Sequence, residues 1–214
     1  DAVHDLTIAL WQTTYAPTTA QALQRLDDTA ALARSQGAEL LITPEMFLTG
    51  YAIGPERVAA LAEPADGALS RAAASPVRRH RIAIVYGYLA RDPAGERPYN
   101  ASQFVAANGT RLAHYRKTHL FGDIDHAQFT AGDTASQVFK WRGWRLGRLV
   151  CYDVEFPEAV SELAGQGVDA VLVPTANMRE FDEVPQQMVP TRARDNHLFV
   201  AYANACGREG SLQY

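Results

Sequence analysis

Three strand-like stretches of this 214-residue chain each end on a side chain able to act on a carbonyl carbon: LLITPE on Glu45, LAHYRK on Lys117 and RLVC on Cys151. Each has a plainer reading when taken singly. Glu45, after Pro44, suits a solvated loop carboxylate. Lys117 suits a surface cation at the end of a hairpin, and Cys151 a small hydrophobe packed in the core. Together they form a kit for acyl transfer. A thiol is only a few per cent thiolate near neutral pH and needs a base or a positive field to become a ready nucleophile. A carboxylate can take its proton and return it to a leaving amine. An ammonium, helped by the backbone N–H of Tyr152 beside the cysteine, can hold the oxyanion that develops on the attacked carbonyl. Placing carboxylate and ammonium in one crevice also makes their burial tolerable.

These residues need elements that bring them to one rim. Residues 6–12 read as a strand. A helix follows, with Leu23, Leu26, Ala30 and Ala33 on one face, a capping-box spacing at Thr18 and Gln21, and a stop at Gly37. The short apolar run 38–45 predicts a strand buried on both faces. Helical segments are expected around 55–62 and 66–79, then a strand at 82–90. Asn108-Gly109 predicts one hairpin and Arg142-Gly143 a second. A helix at 157–165, a strand at 170–176, a helix interrupted by Pro190 over 185–197 and a strand at 198–205 complete the series. Strands interleaved with helices, with added hairpins, predict a mixed α/β fold in one domain over residues 1–214. In such folds reactive groups gather beyond the carboxyl ends of strands.

Composition narrows the partners. A net charge of −4 with no block of Lys or Arg disfavours nucleic acid and anionic membrane surfaces. The N-terminal DAVHDLTIALWQ lacks the basic start and apolar length of a signal peptide or a membrane span. Two cysteines without zinc spacing give no metal site and fit a reducing cytoplasm. The expected partner is a small molecule.

LLITPEMFLTGY, YRKTHLFGD and GRLVCYDVEFPE resemble, in order and context, the three signature regions of the nitrilase superfamily, the carbon–nitrogen hydrolases. AVLVPTAN and RARDNHLFVAYANACG resemble the family's later strand, helix and strand, so the likeness covers nearly the whole chain. The resemblance implies a four-layer αββα sandwich of mixed sheets flanked by helices once two protomers pair, as a homodimer or higher homo-oligomer. It also implies thioester chemistry without metal or cofactor. By position, Cys151 becomes the nucleophile, Glu45 the general base and Lys117 the oxyanion stabiliser. Two departures stand out. Asp125 occupies the place of a second family glutamate, four residues before Phe129 and seven before Gly132, where GDIDH also suits a solvated turn. The family domain also continues past YANACGREGSLQY, so its C-terminal part is expected to be absent from this sequence.

Cys-Tyr-Asp at the nucleophile, rather than Cys-Trp-Glu, resembles the amidase branches, which act on small linear carboxamides. An N-carbamoyl amidohydrolase or a nitrilase could use the same three residues. Asn177 and Met178, after VPTA, are candidates to line the pocket, and Asn177 equally suits capping the next turn. Cys206 reads as core packing on an apolar strand. A Cys–His dyad with His119 or His197 would leave Glu45 and Lys117 unexplained. Outside enzymes, the alternative is an inactive binding module, which an intact set of three disfavours.

Overall fold

The continuous apolar runs are strands covered on both faces. The computed structural model describes residues 4–95 and 97–214. The chain runs through β1 (Ile8–Leu10), α1 (Thr19–Ser35), β2 (Leu40–Ile42), α2 (Pro55–Leu61), α3 (Ala68–His80) and β3 (Ala83–Ala90). The hairpin β4 (Tyr99–Val105) and β5 (Arg111–Arg116) follows, then α4 (Gly122–Gln128) and a second hairpin, β6 (Phe139–Trp141) and β7 (Trp144–Arg148). A 3₁₀ turn (Cys151–Glu155), α5 (Pro157–Gly165), β8 (Ala170–Thr175), a π-helical turn (Val184–Met188), α6 (Val189–Asn196) and β9 (Phe199–Asn204) come next. The short pair β10 (Arg208–Glu209) and β11 (Leu212–Gln213) closes the series.

The strands form two larger sheets, β1-β2-β3-β4-β5 and β6-β7-β8-β9. In the first, β1, β2 and β3 are parallel and β4 and β5 fold back antiparallel. In the second, β6 is antiparallel to β7, and β7, β8 and β9 are parallel. Alternation along the strands sorts the layers. Leu41, Ile84 and Tyr86 face α1 and α3. Leu40, Ile42, Ala83 and Val85 face inward and meet Leu146, Ala170, Leu172 and Ala203 of the second sheet. Val171 and Val173 point the other way, onto Val160 and Leu163 of α5. The order is helix, sheet, sheet, helix, and all four layers come from one chain. Each aliphatic side chain fully buried this way contributes about 1.5–3 kcal/mol.

Turn chemistry fixes both hairpins. The Thr110 N–H donates to Asn108 Oδ1 while Gly109 takes φ +89°. Arg142 and Gly143 take φ +51° and +84°, the pair of positive values that a two-residue turn of this hand requires. Where a helix interrupted at Pro190 was expected, a π-helical turn runs directly into α6, with Pro190 as the second residue of α6. Among the described residues, no helix is long and apolar enough to cross a membrane.

Candidate active site

The carboxyl ends of β2, β5, β7 and β8 and the start of β4 converge on one rim between the sheets. Glu45 follows β2, Lys117 follows β5, Cys151 follows β7 and Ala176 follows β8, so the strand directions alone bring them together. The rim is tied across the sheets by the backbone: the Glu45 N–H donates to Thr175 O (3.3 Å), and the Ala176 N–H donates to Glu45 Oε2 (3.1 Å). Gly87 on β3 lets the Glu45 loop approach. A Cβ there would lie 2.4 Å from the Met46 nitrogen and 3.1 Å from the Glu45 carbonyl carbon. Two non-glycine residues of the rim hold left-handed backbone, Met46 at φ +53° and Cys151 at φ +45°. Such strain persists only where the surroundings over-determine it, and it clusters at working sites.

Three side chains make a buried ionic chain. Lys117 Nζ donates to Glu45 Oε1 (2.9 Å) and to Asp125 Oδ2 (2.7 Å), and all three side chains have no solvent exposure. Asn100 at the start of β4 donates to Glu45 Oε1 (2.6 Å). The Tyr51 hydroxyl donates to Asp125 Oδ1, and the Phe121 N–H to Oδ2 (2.9 Å). Tyr15 donates to the Glu45 carbonyl (2.5 Å).

Electrostatics follow from this burial. Burial pushes the Glu45 carboxyl above its ordinary range; Lys117 pulls it down and Asp125 pushes it up again. Burial draws Lys117 down, yet Glu45 and Asp125 outweigh it and hold the ammonium well above its usual value. Burial, then the Glu45 charge, push the Cys151 thiol up against the pull of Lys117. Both shifts favour the protonated form, so the Cys151 side chain rests as a thiol beside the Glu45 carboxyl group.

A third carboxylate lies within the 3₁₀ turn. Asp153 is fully buried and accepts from the N–H of Val150 (3.0 Å), the hydroxyl of Tyr115 (2.7 Å), and the N–H and Nδ1 of His119 (2.9 and 2.8 Å).

Each predicted residue has a definite place. Glu45, Lys117 and Asp125 share the buried ionic chain, and Cys151 stands beside it. Asp125 lies in α4, a helix absent from the sequence-based expectation, and is buried rather than in a solvated turn. Tyr152 is the second residue of the 3₁₀ turn, where an N–H has no intrahelical acceptor. Asn177 spends its amide on the carbonyl of Phe181 (3.0 Å), and its backbone pairs with Asn204 on both sides (2.7 and 3.1 Å). Met178 packs in the apolar cluster with Met46, Tyr51 and Ala176. Cys206 corrects one expectation. It lies past the end of β9 and is exposed rather than packed in the core. Sequence reasoning missed Asn100, Tyr51 and Asp153. No sequence signal pointed to Asn100, the second residue of a strand that the structure buries throughout.

Residues 7–214 match the family model for carbon–nitrogen hydrolases. A protein named Hydrolase in pqqF 5'region, from Pseudomonas protegens, is 46% identical over 213 residues, 99% of this chain and 74% of the relative. An (R)-stereoselective amidase from a Pseudomonas species is 37% identical over 169 residues, covering 79% of this chain and 60% of the relative. Among solved structures, a Glu-to-Gln mutant of the amidase from Nesterenkonia sp. AN1 superposes with a TM-score of 0.86 at 37% identity, over 97% of this chain and 79% of that one. That structure shows covalent addition of the acetamide moiety of fluoroacetamide at the active site cysteine. The chain belongs to the carbon–nitrogen hydrolase family, the nitrilase superfamily, as an amidase-type enzyme.

Proposed function

We propose that this chain hydrolyses the C–N bond of small linear carboxamides, releasing ammonia and then a carboxylic acid through a thioester on Cys151. The observation that carries this reading is the buried Lys117 bridging Glu45 and Asp125 beside a thiol on a strained turn. The cysteine adduct in the Nesterenkonia amidase supports the same chemistry.

Cys151 Sγ attacks the amide carbon while Glu45 takes the thiol proton. The carbonyl π electrons move to oxygen, where Lys117 Nζ and the Tyr152 N–H receive the charge; one such donor is worth roughly 3–4 kcal/mol. As the oxyanion collapses, the C–N bond breaks and Glu45 returns its proton to the leaving nitrogen, which departs as ammonia. Water then attacks the thioester, Glu45 takes a proton from it, and the C–S bond breaks to give the acid. The proton on Glu45 passes back to sulfur. Glu45 thus serves four proton transfers. Its raised affinity for protons suits a base that must also act as an acid. Asp125 keeps Lys117 charged and in place. Asn177 shapes the pocket wall by fixing the turn that carries Met178.

Mass spectrometry after quenching tests the reading. Incubation with short amides should add the acyl mass to Cys151, and ammonia should be released faster from an amide than from the matching nitrile. Cys151→Ala should abolish turnover with the fold intact, whereas Cys206→Ser should keep most of it. Turnover in folded Cys151→Ala would overturn the mechanism, and a preference for nitriles would overturn the substrate class.

A further inference from the structure

Asp153 takes no part in the chemistry proposed above, yet its carboxylate joins the two strand ends that carry it. Val150, whose N–H it accepts on Oδ2, immediately precedes Cys151. Thr118 and His119 immediately follow Lys117. The Thr118 hydroxyl (3.2 Å), the His119 N–H and the His119 ring all meet Oδ1. One buried carboxylate therefore spans from the end of β5 in the first sheet to the end of β7 in the second. The His119 ring is fixed on its other side by stacking on Phe156, with centroids 3.9 Å apart and planes at 21°. Phe156 in turn meets Tyr152 edge-on at 4.9 Å.

We propose that Asp153 and His119 form a positioning clamp that sets the Cys151 sulfur against the Lys117 ammonium, and that turnover follows the charge on His119. The kinetic half of this inference rests on the amidase reading. His119 is the partly exposed member of the pair, its side chain 29% accessible against none for Asp153. The groups facing it are Asp153 from the 3₁₀ turn, Glu158 from α5 and Lys117 from its own loop, while Tyr115 of β5 touches Asp153. The hydrogen bond that the His119 ring donates to Asp153 raises the His119 pKa. Burial opposes it, the Asp153 and Glu158 charges add to it, and Lys117 opposes it, so the ring stays protonated above its ordinary range. A charge-assisted bond is roughly twice as strong as a neutral one. The sign follows: the clamp is tightest below the ordinary histidine pKa and slackens as pH rises through the raised value.

The test compares wild type with His119→Phe, which keeps the stacking surface, and His119→Asn, which keeps an N–H donor without a titrating ring. On a short carboxamide, His119→Phe should lower kcat roughly tenfold to a hundredfold with KM little changed, the usual effect of slight misplacement. His119→Asn should recover most of that loss and flatten the alkaline fall in kcat across the histidine range. In parallel, alkylation of Cys151 by iodoacetamide at neutral pH should slow in His119→Phe and recover in His119→Asn. Wild-type kcat and alkylation in folded His119→Phe would overturn the clamp, and an unchanged alkaline fall in His119→Asn would overturn its dependence on charge. Rapid alkylation of wild type without amide turnover would defeat the amidase reading alone, leaving the clamp to be judged by the alkylation rates.

Discussion

Lys117 is shared by two carboxylates, and that sharing governs how readily Glu45 gives up its proton. Asp125 raises the Glu45 pKa by its charge and divides the attention of the ammonium. Asp125→Asn removes the charge and frees Lys117 for Glu45, and both changes ease ionisation of the base. The expected outcome is a fall in turnover of roughly 10²-fold, because Lys117 loses its second anchor. The acid limb of the pH–rate profile should move to lower pH, and Asp125→Glu should keep measurable activity. A profile that stays in place would detach Asp125 from Glu45. At this scale, Glu45, Lys117 and Cys151 were legible because each closes a strand-like run, and position along a strand is written in the sequence. Their partners were not. Asn100 lies 55 residues from Glu45, and Tyr51 lies 74 from Asp125. Such bonds exist only once the sheets have set which loops are neighbours. Cys206 was misread because VAYANAC stays apolar past Asn204, where the ladder to β8 stops.

Gly87 shows how an element positions chemistry without touching it. The β3 strand runs directly beneath the Glu45–Met46 peptide, and only a residue without Cβ permits that approach. Gly87→Ala must displace the loop that carries the base. Overpacking of this kind costs typically 1–3 kcal/mol, and a shift near 1 Å costs about 10²-fold in rate. The variant should therefore fold, with a lowered Tm and a larger proportional loss of kcat, measured by calorimetry and ammonia release. Wild-type kcat in Gly87→Ala would show that the loop tolerates the push. Hairpins were the most legible elements, since Gly109 and Gly143 supply the positive φ that each turn needs at no steric cost. Helix α4 was not legible. It is seven residues long, starts at Gly122 and lacks a side-chain N-cap. Its carboxylate bond to Lys117 and the N–H of Phe121, not local propensity, holds it in place.

On the scale of the whole molecule, the site is a seam. The first sheet brings Glu45, Asn100 and Lys117, and the second brings Cys151 and Ala176. The burial of the apolar strands on both faces was readable from the chain, and so was the α/β layering. That one protomer supplies all four layers was not, because sequence periodicity says which faces are covered and not by whose helices. A seam loosens before either sheet melts. Activity in urea should therefore fall at a lower concentration than far-UV circular dichroism, and coincident transitions would show that sheets and site come apart together. The layering also has a genealogical consequence. Cut between β5 and β6, the chain divides into one piece with Glu45 and Lys117 and another with Cys151, and under the proposed mechanism neither could perform a single step. The reaction is a trait that can be inherited only whole, so a duplicated or borrowed half would pass on the architecture and leave the chemistry behind.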